Sequence, residues 1–91
     1  MYDAVRAVVE PKWSLEILAA LSEESPQNFS AIERQFDTSS DVITSRLRLL
    51  VDYGLVERTE HSRRDVRYGI TDQGDWFLRR IIELDGRLGT E

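Results

Sequence analysis

The sequence predicts a mostly α-helical fold with one small β-hairpin, and three observations carry that prediction. Apolar residues recur at helical spacing through most of the chain. After Gly54 the period changes from about 3.6 to about 2, and it changes back after Thr71. Between two of the helical patterns lies Asp37-Thr38-Ser39-Ser40-Asp41, a run of residues that cap helix N-termini. With 91 residues, 41% of them hydrophobic, the chain can build one small core, so a single domain over 1–91 is expected.

Ala4, Val5, Val8 and Val9 share one side of a helical wheel, with Asp3, Arg6 and Glu10 elsewhere, which predicts a short amphipathic helix within the segment 1–10. Pro11 interrupts it and suits the first turn of a second helix, about 11–22, whose core stripe is Trp13, Ile17, Leu18 and Leu21. The polar run from Ser22 to Asn28 contains Pro26 and no periodicity, so it reads as a loop. Phe29, Ile32 and Phe36 then mark a helix at about 29–36. The next helix carries Val42, Ile43, Leu47, Leu50 and Val51 and ends at Gly54. Its cap is open at this level: Thr38 and Asp41 have capping-box spacing, and Ser39 is the alternative. Two short helices joined by a tight polar turn form a helix-turn-helix.

Leu55 to Glu60 and Val66 to Ile70 read as strands, the second with Val66, Tyr68 and Ile70 on one face and Arg67 on the other. The intervening His61-Ser62-Arg63-Arg64-Asp65 looks too long for a two-residue turn and predicts a projecting basic tip. Thr71 can cap a last helix over 71–89, closed by Gly86 and Gly89. The order α-α-α-β-β-α over residues 11–89, with a short extra helix before it, is that of a winged helix-turn-helix.

Composition narrows the chemistry. Without cysteine there is no disulfide, thiol nucleophile or thiolate metal site, and a lone His61 cannot supply a histidine cluster, so no metal and no cofactor are expected. No H-E-x-x-H, G-x-S-x-G or glycine-rich phosphate loop occurs, which argues against an enzyme. No apolar run approaches the ~20 residues of a membrane span and no signal-peptide core is present, so no membrane partner and a cytoplasmic location are expected. No small-molecule pocket is suggested. The net charge of −5 speaks at first against a polyanionic partner, but it is unevenly placed. Residues 1–45 carry three basic and eight acidic groups, whereas residues 46–67 carry six arginines against four acids. Eleven of the twelve basic residues are arginine, which with the surplus of acid suggests a salt-adapted source such as a halophilic archaeon.

Five segments then acquire a family likeness. Lys12-Trp13-Ser14-Leu15-Glu16-Ile17-Leu18, Phe29-Ser30-Ala31-Ile32-Glu33, Ser39 through Leu50, Gly54-Leu55-Val56-Glu57-Arg58 and Tyr68-Gly69-Ile70-Thr71-Asp72-Gln73-Gly74 stand in the order found in one branch of the winged-helix regulators. Over roughly residues 11–85 the chain resembles the HxlR-type transcription regulators, relatives of the MarR type. The resemblance implies a homodimer that binds an operator in double-stranded DNA. It does not carry over the cysteine-based sensing of many members, since no cysteine is present. Ser40-Asp41 also replaces the proline and basic residue more typical of that helix start.

On the predicted recognition helix, Ser39, Ser40, Asp41, Thr44, Ser45 and Arg48 form the polar face offered to a major groove. Arg48 is the natural base reader, because a guanidinium can donate two bonds to a guanine edge, worth roughly 1–3 kcal/mol of discrimination. Arg46 lies toward the flank, where an internal salt bridge competes with a phosphate contact. Arg58, Arg63, Arg64 and Arg67 make the wing basic and suited to the minor groove or its phosphates, with cross-strand pairing to Glu57, Glu60 and Asp65 as the competing role. The last helix is apolar on more than one face. Trp76, Phe77, Ile81, Leu84 and Leu88, with Val5, Val8 and Val9, are expected to meet a second copy, unless the N-terminal segment covers that helix within the chain. The rival to operator binding is a winged-helix module that binds protein, for which the overall acidity speaks.

Overall fold

The structure, a computed structural model, describes residues 1–89 of the chain; residues 90 and 91 of the expected domain lie outside it. In chain order the elements are α1 (Asp3–Val9), α2 (Ser14–Glu23), β1 (Gln27–Asn28), α3 (Phe29–Glu33), α4 (Ser40–Asp52), β2 (Val56–Ser62), β3 (Asp65–Ile70) and α5 (Asp72–Leu88). This is the winged helix-turn-helix order, with α1 as the extra helix and β2–β3 as the wing.

The second helix begins later than Pro11 because Trp13 sits in the left-handed region at φ 79° and breaks the helical path just before Ser14. The third helix stops at Glu33, short of Phe36, whose ring instead tilts against Trp13 with 5.7 Å between centroids. Ser39, rather than Thr38, caps α4: its Oγ accepts a hydrogen bond from the Val42 amide at 3.3 Å. Gly54, at φ +73°, supplies the left-handed residue that turns the chain out of α4. Gly86 lies inside α5 and does not close it, whereas Gly89 is its C-cap.

Two features of the sheet differ from expectation. The segment read as a loop contains β1, which pairs antiparallel with β3 through Gln27 opposite Tyr68 and Asn28 opposite Arg67, giving the strand order β1-β3-β2. Two residues carry no periodicity, and Asn28 doubles as the cap of α3, accepting from the Ala31 amide at 2.9 Å. Gln27 is buried and fully engaged: its amide donates to the carbonyls of Ala20 (3.1 Å) and Glu24 (2.7 Å), and its oxygen accepts from Gln35 (2.7 Å). The wing tip is also tighter than expected. β2 runs on to Ser62 and β3 restarts at Asp65, so only Arg63-Arg64 form the turn. A register shift between Glu60 and Ser62 absorbs the extra residue as a bulge.

The core is the set Ile17, Leu18 and Leu21 of α2, Ile32 of α3, Ile43, Leu47 and Leu50 of α4, Leu55, Val56 and Leu78, joined by Val8. The sequence assigns Val8 to a contact between copies of the chain, but at 2% exposure it is already buried by its own neighbours. The end of α4 and the start of α5 are pinned together. Thr71 Oγ1 accepts from the Gly74 amide (2.9 Å) and donates to the Gly54 carbonyl (2.7 Å), while Gln73 donates to the Tyr53 carbonyl (2.9 Å). These bonds fix the root of the wing against the helix that precedes it.

Candidate nucleic-acid interface

Residues Ile43, Leu47 and Leu50 of α4 are buried at i, i+4 and i+7, so the helix must present its opposite side outward. Asp41, Thr44, Ser45 and Arg48 are exposed there. Asp41 stands in the first turn, where a carboxylate suits the positive end of the helix dipole. Ser40 is not idle: its hydroxyl donates to the Glu33 carboxylate and ties the start of α4 to α3. Ser45 Oγ accepts from Arg46 Nη1 at 3.2 Å, and Arg46 Nε donates to the Lys12 carbonyl at 2.6 Å. Arg46 therefore serves the fold through a backbone carbonyl rather than a salt bridge. Among the described residues Arg48 has no hydrogen bond or ion pair, so its guanidinium is available.

The four wing arginines do not form one cluster. Arg58 lies 3.8 Å from Glu60, two residues along the same strand, and both side chains are about half exposed. Arg67 is held by Asp65, also two residues away, through Nε to Oδ1 at 3.0 Å and Nη2 to Oδ2 at 3.1 Å. The pairing expected across the strands thus runs along them, because residues i and i+2 of a strand share a face. The Arg67 hydrogen bond holds the Asp65 carboxyl below its usual range, and Asp65 in turn raises the guanidinium. Both groups face solvent, where such a pair adds little to stability. Arg63 and Arg64 occupy the two-residue tip, exposed and without side-chain partners among the described residues.

Register decides which arginine joins the helix. Arg58 is directly opposite Tyr68, so the two share a face of the sheet, and with Thr44, Arg48 and Val51 they line a cleft of 140 Å³ between α4 and the wing. Arg67 lies on the other face, where with Glu57, Thr59 and His61 it lines a separate hollow. The structure therefore brings Thr44, Arg48 and Arg58 together, sets Arg63 and Arg64 at the tip, and leaves Arg67 apart. Tyr68 and Val51 were not anticipated at the site. Their apolar spacing reads as core, and only the pairing of Arg58 with Tyr68 and the packing of α4 reveal the cleft.

A second surface lies on α5. Trp76, Ile82, Leu84 and Leu88 are exposed, Phe77 and Ile81 are partly buried, and Val5 on α1 is exposed while Val9 is partly buried. Between α1 and α5 runs a largely apolar groove of 350 Å³, lined among others by Val5, Val8, Trp76, Phe77, Ile81 and Leu84. The sequence suggests no such cavity, because its walls come from α1, the turn after α4 and α5, which lie far apart in the chain. Among the described residues, no helix is long and apolar enough to cross a membrane, and no group of three acidic, histidine or cysteine side chains is placed to hold a metal.

The profile of the family described as HxlR-like helix-turn-helix matches residues 8–87. An uncharacterized HTH-type transcriptional regulator of Halalkalibacterium halodurans is 31% identical over 81 residues, covering 86% of this chain and 72% of that protein. A solved structure described as a possible HxlR family transcriptional factor from Thermoplasma volcanium superposes with a TM-score of 0.77 at 28% identity, over 93% of this chain and 78% of the other. A regulator assigned to the MarR family from Enterococcus faecalis gives a TM-score of 0.77 at 25% identity, over 94% and 78% of the two chains.

Proposed function

The chain belongs to the HxlR-like helix-turn-helix family of transcriptional regulators, and on that premise we propose that it is a sequence-specific reader of double-stranded DNA that works as a homodimer. In this reading α4 enters the major groove and the tip of the wing reaches the minor groove or its phosphates. One observation carries it: Arg48, Arg63 and Arg64 are exposed and unpaired among the described residues, on the two elements such a fold offers to DNA. Their neighbours Arg46 and Arg67 are engaged within the chain. Thr44 and Ser45 are short enough to let the helix approach base edges closely, and Ser39 and Ser40 stand at its start beside Asp41. Asp41 is the acidic exception, suited to accept a hydrogen bond from a cytosine amino group.

The exposed apolar side of α5, with Val5 and Val9, is the surface for the second copy. A dimer would set two recognition helices about 34–36 Å apart, matching half-sites on one face of the duplex. The test compares three variants for retention of duplex DNA. Arg48→Ala and the double change Arg63→Ala with Arg64→Ala should each weaken retention, while Trp76→Ala should lower it through loss of the dimer. If both arginine variants bind and regulate as the unaltered protein does, and only the Trp76 change matters, the chain is a protein-binding module instead.

A further inference from the structure

We propose that the cleft between α4 and the wing is a binding site for one phosphodiester of the DNA backbone, with Arg58 and the Tyr68 hydroxyl as its ligands. The inference rests on the DNA-binding reading above and deepens it, by separating Arg58 from the wing tip and giving Tyr68 a role beside it. If α4 lies in the major groove and the wing in the adjacent minor groove, the sugar-phosphate strand that separates the grooves must pass between them. The cleft lies between the same two elements.

Its lining suits that occupant. Thr44, Arg48 and Val51 line it from α4 and Arg58 and Tyr68 line it from the wing, so two residues that carry guanidinium groups and two that carry hydroxyls meet at one cleft, with Val51 as an apolar surface for a sugar. A volume of 140 Å³ is several times the ~30 Å³ of a water molecule, enough for a tetrahedral anion. Without DNA, the Arg58 guanidinium leans on Glu60 at 3.8 Å, a distance too long for a strong charge-assisted hydrogen bond. A phosphate in the cleft offers the same guanidinium two close oxygens, so Glu60 is a placeholder that the backbone displaces. Arg58 and Tyr68 thereby set register on the duplex without reading sequence.

The test measures affinity for the selected duplex and for a scrambled duplex of equal length, each over a range of salt, with the full chain and with Arg58→Gln, Tyr68→Phe and Glu60→Gln. Loss of one phosphate contact per protomer should make the slope of log affinity against log salt shallower by about 0.9 per protomer for Arg58→Gln. Both duplexes should weaken by the same factor. Tyr68→Phe, which keeps the ring and removes only the hydroxyl, should weaken both by roughly twofold to tenfold with the slope unchanged. Glu60→Gln should tighten both. An unchanged slope for Arg58→Gln, a change in sequence preference, or no effect of Tyr68→Phe overturns the phosphate site while leaving the reading of α4 intact. Failure of the unaltered protein to bind either duplex removes both.

Discussion

Gly74 occupies a place that no side chain can share. A Cβ there would stand 2.0 Å from the Leu55 carbonyl oxygen and 2.8 Å from Ile70 Cγ1, so the start of α5 is packed directly onto backbone. Alanine is the better helix former by about 1 kcal/mol, yet Gly74→Ala should destabilise the fold by roughly 1–3 kcal/mol or more through overpacking, read as a lower urea midpoint. Thr71→Ala should cost about 1–2 kcal/mol in the same assay, because one hydroxyl both caps α5 and donates to Gly54. The cap is legible from sequence, as a threonine before a helical pattern; the clash at Gly74 is not, since it depends on a contact 19 residues away in the chain, at Leu55. Asp65 supplies a test by pH. Its folded pKa is depressed by Arg67, so the pair's contribution is present above the ordinary carboxylate range and is lost only as pH falls through the lower folded value. A carboxyl-carbon NMR titration should place the Asp65 midpoint below that of an unpaired aspartate, and Arg67→Gln should return it upward.

At the scale of elements, α4 and the wing divide the work between fold and surface. Buried Ile43, Leu47 and Leu50 fix the rotation of α4, and that rotation exposes Thr44 and Arg48. Arg48→Ala should narrow the difference between a preferred duplex and a scrambled one by about 1–3 kcal/mol per contacted guanine, with the melting temperature nearly unchanged. The period of this helix was plain in the sequence because it is long, amphipathic and bounded by Ser39 and Gly54. The wing was legible as two strands, but not in detail. Its tip closes on Arg63-Arg64 because a bulge near His61 takes up the extra residue, and a bulge is a feature of pairing that no single strand shows. β1 escaped for the same reason, having two residues whose only signature is their partner strand. Register also sorts the arginines, sending Arg58 toward α4 and Arg67 to the opposite face, where spacing alone had grouped them.

For the whole molecule the question is how a chain of net charge −5 would meet a polyanion. Its surplus of acid over base lies before residue 46, where eight acids face three basic groups, and the segment from Arg46 to Arg67 carries more arginine than acid. At about 1 M salt the screening length is near 3 Å, so distant carboxylates repel DNA little, and each arginine-phosphate contact gains less from counterion release. A shallow dependence of affinity on salt is therefore expected compared with a strongly basic repressor. The apolar side of α5 supplies the other half of the proposed device, and sedimentation should show a dimer that Trp76→Glu converts toward monomer. That surface was legible as an excess of apolar residues on the last helix. Its groove was not, because α1 and α5 come together only in the fold. The most direct measurement exposes the purified protein to random genomic fragments and sequences what it retains. A dimeric operator reader enriches a motif with two-fold related half-sites about one helical turn apart, lost with Arg48→Ala. Retention with no enriched motif at any salt concentration would contradict sequence-specific reading by this chain.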